Sequence, residues 1–252
     1  MSQVLPGAEP WSYTAPNGRH GVLVSHGFTG SPMNMRGLAH AFADAGFSVE
    51  LPLLPGHGTS VDDMLTTTWS DWSGAVEATF QTLAARCDKV LVAGLSMGAT
   101  LALWLAINHP EIVGVVAVNP LVQPLPDEVL DMVQGMIDEG EVTLPGIGSD
   151  IADPDAKELA YELTPLPPLL SLQRSVGAEV LPKLAHIRQP MLLMNSVDDH
   201  VVEPVNGDIV AERVNGPVER LMLERSFHVA TLDYDKELLV AKAVEFATRI
   251  AV

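Results

Sequence analysis

At 252 residues the chain is long enough for one α/β domain with a large core and an inserted subdomain, and short for two independent domains. Its 47% hydrophobic and 18% charged residues exclude an intrinsically disordered chain. Lys+Arg number 14 against Asp+Glu 32, a formal net charge of −18, which disfavours nucleic acid and anionic membrane surfaces as partners and leaves a small neutral substrate as the expectation.

Residues 1–18 lack a basic n-region and a continuous apolar h-region, and no later run reaches the length of a membrane span. A cytoplasmic protein with no integral membrane span is therefore expected. The first strand pattern is 21–25, and the turn Ser25-His26-Gly27-Phe28-Thr29-Gly30 follows it. A helical pattern at 33–45 and a strand at 48–51 lead to a second turn, Pro55-Gly56-His57-Gly58. After a helix at 69–86, the buried strand 89–95 runs into Gly94-Leu95-Ser96-Met97-Gly98 and then a helix at 97–108 ending before Pro110. Cys87 is the single cysteine, so no intrachain disulfide is available. A strand at 113–119 closes the first half.

From 121 to 187 the rhythm breaks: prolines recur, two helix-like runs occur, and no core strand is evident. The expected organisation is a core of 1–120 and 188–252 with a cap insertion at 121–187. Val129, Met132, Val133, Met136 and Ile137 fall at helical spacing, on a helix that also bears Asp127, Glu128, Asp131 and Asp138. Such a stripe must be buried, either against the main domain, which amphipathic stripes favour, or as a lipid-facing lid. Strands at 191–196 and 219–223 alternate with helices at 204–214 and 236–250. The alternation predicts the α/β class, with a mainly parallel sheet covered on both faces.

Ser96 stands between two glycines where a strand gives way to a helix, so a sharp turn presents its hydroxyl beside a helix N-terminus. A serine hydroxyl is a weak nucleophile and needs a general base, which in turn needs a carboxylate to fix its tautomer. On this elbow the chain order is serine, acid, histidine. His228, after the last core strand, is the expected base. His200 is the alternative, His109 and His186 read as structural, and His26 and His57 read as loop braces near the site. The acid follows strand 191–196, where Asp198 and Asp199 are both candidates. The oxyanion hole needs two N–H groups, which Met97 supplies by position and Phe28 from the earlier loop. No metal or organic cofactor is implied.

His26-Gly27-Phe28-Thr29-Gly30, Leu54-Pro55-Gly56-His57-Gly58-Thr59, the Ser96 pentapeptide, Ser196-Val197-Asp198-Asp199-His200-Val201-Val202 and Phe227-His228-Val229-Ala230-Thr231-Leu232-Asp233-Tyr234-Asp235 together resemble the bacterial monoacylglycerol lipases and related small carboxylesterases of the α/β-hydrolase superfamily. The likeness extends over nearly the whole chain and, within the insertion, to 147–151 and 157–162. It implies an α/β-hydrolase fold with Ser96 as nucleophile, His228 as base, Asp199 as its orienting acid, and Phe28 and Met97 as oxyanion donors. It further implies that Ile147 shapes the alcohol side of the pocket and that Glu158 binds a glycerol hydroxyl. Ala99 departs from the pattern, since relatives often carry a second glycine there. The implied activity is hydrolysis of a monoacylglycerol with a medium or long acyl chain. The alternatives are a broad carboxylesterase or lipase, an acyltransferase, a C–C bond hydrolase, or a non-catalytic binder. Haloalkane dehalogenase and epoxide hydrolase chemistry is disfavoured, because those relatives carry aspartate where this chain has Ser96.

Overall fold

The computed structural model describes residues 3–16 and 18–251. Strands β1 (Trp11–Tyr13), β2 (His20–Ser25), β3 (Ser48–Leu51), β4 (Lys89–Leu95) and β5 (Gly114–Val118) enter one sheet, interleaved with α1 (Arg36–Asp44), α2 (Val61–Met64), α3 (Trp69–Ala84) and α4 (Met97–Asn108). The middle of the chain forms α5 (Asp127–Asp138), the short strands β6 (Thr143–Pro145) and β7 (Leu163–Pro165), and α6 (Leu166–Ser175). Then β8 (Met191–Ser196), α7 (Val205–Arg213), β9 (Val218–Leu223) and α8 (Lys236–Ala251) complete the sheet and its cover. The sheet order is β1-β3-β2-β4-β5-β8-β9, and every pairing is parallel except the antiparallel edge strand β1.

The central strands are continuously apolar because both of their faces are covered. Val90 and Val92 of β4, with Val115 and Ala117 of β5 and Met191 and Leu193 of β8, pack on α3, α4 and α7. The residues between them, Leu91, Ala93, Val116, Val118, Leu192 and Met194, point the other way onto α1 and α8. The two-residue period of a strand thus splits one run of hydrophobics into two cores. At the edge, β9 is less buried and tolerates Glu219 and Arg220.

The expected strands agree with the structure to within a residue. The helix expected over 33–45 begins instead as a 3₁₀ turn, Pro32–Met35, before α1, because proline can start a helical turn but cannot donate within it. β1 and α2 were not anticipated, being three and four residues long and too short to show a period.

Within 121–187, β6 and β7 pair only with each other. Leu130 and Val133 of α5 bury against Leu166 and Leu170 of α6, forming a small core of their own. The stripe on α5 is accordingly centred on Leu130 and Val133, and Met132 is 60% exposed. It packs on α6, its neighbour within 121–187, and not on the main core. The same stretch joins the main core through Leu172, Val176, Val180, Leu184 and Ile187. Among the described residues no helix is long and apolar enough to cross a membrane.

Candidate active site

Ser96 lies between β4 and α4 with φ 56° and ψ −124°, a left-handed conformation that a non-glycine residue adopts only under constraint. The constraint is visible in its neighbours. A Cβ on Gly94 would stand 2.2 Å from the carbonyl carbon of Gly98, and one on Gly98 would stand 2.2 Å from the Ser25 carbonyl oxygen. Strand, turn and helix therefore cross at a distance only glycine permits, and Ser96 N–H is tied to Val118 O at 2.9 Å. The loop after β2 lies against the same residue, since a Cβ on Gly27 would be 3.2 Å from Ser96 Cβ. Met97 is the first residue of α4, so its N–H is among the donors a helix cannot satisfy internally. Phe28 lines the same cavity as Ser96.

Two loops bring Asp199 and His228 together. His228 Nδ1 and Asp199 Oδ2 are 2.7 Å apart, with side chains 8% and 1% exposed. The other carboxylate oxygen of Asp199 accepts the N–H groups of Val201 and Val202 at 2.9 and 2.8 Å, which fixes the group before it meets the ring. Asp198 is exposed. His200 turns away to the rim, where its Nδ1 meets Asp150 Oδ1 at 2.8 Å. His109 is held by Glu77 and Glu111, and His186 is exposed at the end of a 3₁₀ turn.

Several residues that hold this arrangement escaped the sequence reading. Asn119, in the left-handed region at φ 45°, follows β5 and donates from Nδ2 to His228 O at 2.8 Å and to Ser196 Oγ at 3.0 Å. Ser196 in turn donates to Phe227 O at 2.7 Å. On the far side Asp150, in the irregular segment between β6 and β7, accepts His228 N–H at 3.0 Å and His200 N–H at 3.2 Å. Asp233 is fully buried and accepts four N–H groups, from Ala152 and Phe227 on one oxygen and from Asp153 and Tyr234 on the other. An asparagine after a strand and the aspartates of the Leu232 to Asp235 run were the available signals.

Asp233→Ala leaves four amide donors without the buried carboxylate that now accepts them. A loss of about 4 kcal/mol or more in unfolding free energy is expected from urea titration. A loss below about 1 kcal/mol would show that water satisfies those donors.

His26 and His57 lie beneath the loops rather than at the pocket mouth, 0% and 1% exposed with ring centroids 5.0 Å apart. His26 Nδ1 lies 3.0 Å from Gly27 O, and Nε2 accepts Leu54 N–H at 3.2 Å, so the ring is neutral and joins two loops. Burial, aided by the nearby His57, pushes its pKa down to about 3. Burial likewise pushes His57 down to about 4. Because both folded values lie below the ordinary histidine value, the unfolded chain binds protons that the folded chain does not. Their contribution to stability is complete above about pH 6.5 and is lost as pH falls toward 4, by up to about 1.4 kcal/mol per pH unit for each ring. Urea midpoints measured from pH 7 to pH 4.5 should fall accordingly, with a shallower slope in His57→Gln. An unchanged slope in that variant would remove His57 from the account.

The cavity in front of Ser96 holds about 300 Å³ and is mainly apolar, with Leu121, Leu172 and Val229 in its wall. Ile147 stands at its rim, 69% exposed. Glu158 lies in an irregular segment and faces the same space; Asn34 Nδ2 donates to it at 2.9 Å, and burial pushes its carboxyl above the usual range. Tyr161 ties this segment down, donating to Gly56 O at 2.8 Å and accepting Thr59 N–H at 3.0 Å, while its own N–H reaches Thr29 O at 3.1 Å.

Residues 22–241 match the model of the alpha/beta hydrolase family. The chain is 45% identical to a thermostable monoacylglycerol lipase from Bacillus sp. (strain H-257), over 98% of this chain and 97% of that protein. It is 26% identical to a carboxylesterase of Bacillus subtilis (strain 168), over 96% of this chain and 97% of that one. A structure from work on the metagenome-derived lipolytic enzymes LipS and LipT superposes with a TM-score of 0.92 at 42% identity, covering 98% of this chain and 100% of the other. The monoacylglycerol lipase of Paleococcus ferrophilus shares the fold, with a TM-score of 0.79 at 18% identity over 96% of this chain and 99% of its own.

Proposed function

We propose that this chain, which belongs to the alpha/beta hydrolase family across residues 22–241, hydrolyses monoacylglycerols to fatty acid and glycerol through an acyl-enzyme on Ser96. One observation carries the reading: a buried Asp199–His228 pair at 2.7 Å whose histidine lines the same cavity as a serine on a strained elbow. The 45% identity to a monoacylglycerol lipase supports the substrate class.

In this mechanism Ser96 Oγ attacks the ester carbonyl while His228 Nε2 takes its proton. Asp199 keeps the proton of the neutral ring on Nδ1 and stabilises the imidazolium that forms. The N–H groups of Phe28 and Met97 receive the oxyanion, and His228 returns the proton to the departing glycerol oxygen. Water, deprotonated by the same ring, then attacks the acyl-enzyme and releases the fatty acid. The insertion of residues 121–187 serves as a cap over the acyl chain. Glu158 accepts a hydrogen bond from a glycerol hydroxyl, and Ile147 bounds the alcohol side.

Fatty-acid release from a monoacylglycerol and the matching triacylglycerol, with Ser96→Ala protein as blank, tests the reading. Turnover confined to the monoester and absent in the blank is expected. Comparable cleavage of both substrates would replace it with a broad lipase, and cleavage of neither with acyl transfer or C–C hydrolysis.

A further inference from the structure

We propose that Asp150, a residue of the insertion, is a positioning residue for the acid–base pair, so that the cap segment sets the geometry of Asp199 and His228. The inference rests on the reading of those two residues as orienting acid and base.

The pair is carried by two loops, after β8 and after β9, whose residues are 29 positions apart. Neither loop has regular structure to hold it at the required spacing. A single atom, Asp150 Oδ2, accepts the main-chain N–H of His228 at 3.0 Å and that of His200 at 3.2 Å. His200 is the residue next to Asp199. The shared oxygen therefore fixes the separation of the two loops at the residues that bear the pair. The second oxygen, Oδ1, lies 2.8 Å from His200 Nδ1 and locks the carboxylate's rotation. The main-chain carbonyl of Asp150 also accepts Val229 N–H at 3.1 Å, so the segment grips the histidine loop twice.

From the sheet side, Asn119 Nδ2 holds His228 O at 2.8 Å. The histidine's peptide groups are thus pinned on both sides, by a strand end and by the insertion. Asp150 is 9% exposed, and its carboxylate is held by two main-chain N–H groups and the His200 ring. Positional tolerance in such a pair is about 0.5 Å, and a displacement of about 1 Å costs up to 10²-fold in rate. Removing the Asp150 side chain takes away the anchor on His228 N–H, leaves Asn119 and the Asp150 main-chain carbonyl, and is expected to place the histidine in that range.

The test compares Asp150→Ala, Asp150→Asn and Asp150→Glu on monoacylglycerol, with urea transitions to verify folding. Asp150→Ala should lower kcat by 10- to 100-fold with KM within about twofold, and slow fluorophosphonate labelling of Ser96 in the same proportion. Asp150→Asn keeps an oxygen acceptor for the two amides and should recover kcat to within about threefold of wild type. Asp150→Glu keeps charge and acceptor but displaces the shared oxygen by about a bond length, and should lose about tenfold in kcat. If the alanine variant does not fold, the glutamate variant decides.

A kcat within twofold of wild type in a folded Asp150→Ala or Asp150→Glu protein would overturn the proposal. So would a loss confined to KM, or an Asp150→Asn protein as slow as the alanine variant. Ser96→Ala run alongside separates the two readings: full turnover in that protein sinks the proposed function itself, whereas a dead Ser96→Ala with an unimpaired Asp150→Ala sinks only the positioning role.

Discussion

Ser96→Ala protein is expected to turn over monoacylglycerol roughly 10⁶-fold more slowly than the parent, because in the proposed mechanism serine, histidine and aspartate act as one unit and the loss of the nucleophile removes the whole effect. A residual acceleration of roughly 10³–10⁴ over water should persist from the oxyanion donors and from binding. Folding gives the control. Ser96 makes no side-chain cap hydrogen bond to α4, and alanine bears the same Cβ at φ 56°, so the urea transition should move by no more than about 0.5 kcal/mol. Ser96→Gly should be more stable than either, by about 1 kcal/mol or more, since glycine adopts that conformation without strain. Steady-state release of fatty acid, with loss of fluorophosphonate labelling, checks the first expectation. A Ser96→Ala protein within tenfold of the parent would move the nucleophile elsewhere.

Asp199→Asn should lower kcat by roughly 10⁴-fold while leaving KM and the fold nearly unchanged. The asparagine is isosteric, and its carbonyl oxygen can still accept the N–H groups of Val201 and Val202 that the carboxylate now accepts. That arrangement leaves its NH₂ group facing His228 Nδ1. A donor there stabilises the tautomer with its proton on Nε2, which cannot receive a proton from Ser96. The defect is thus electronic, with no cavity left behind. Kinetics at saturating substrate measure it, and a fall of less than tenfold would assign the orienting role to another carboxylate.

The parallel sheet was legible because β4, β5 and β8 are covered on both faces and show as unbroken apolar runs. β1 was not, since three residues carry no period and its pairing with β3 is decided 38 residues away. β6 and β7 were hidden for the same reason, with Pro145 and Pro165 at their ends. In the site, the Ser96 turn could be read locally because its geometry is imposed by glycines two positions on either side. Asp199 needed chain order and resemblance, since Asp198 is chemically identical and only the fold turns one inward. Asn119, Asp150 and Asp233 left little trace. Asn119 reaches His228 across 109 residues and Asp150 across 78, and although Asp150 and Asp233 fall within segments that carry the resemblance, nothing in those segments tells which peptide groups their carboxylates meet.

The four hydrogen bonds into Asp233 have a practical meaning for chimeras. Residues 121–187 look like a cassette for exchanging specificity between relatives, yet the seam is not where the sheet ends. Ala152 and Asp153 are fastened to a carboxylate that belongs to the histidine loop, at 2.8 and 3.0 Å. A donor cassette inserted at the strand boundaries would inherit that carboxylate without the peptide groups shaped to meet it. A working exchange must therefore keep 150–153 from the recipient, or bring the donor's 226–235 along with its cap.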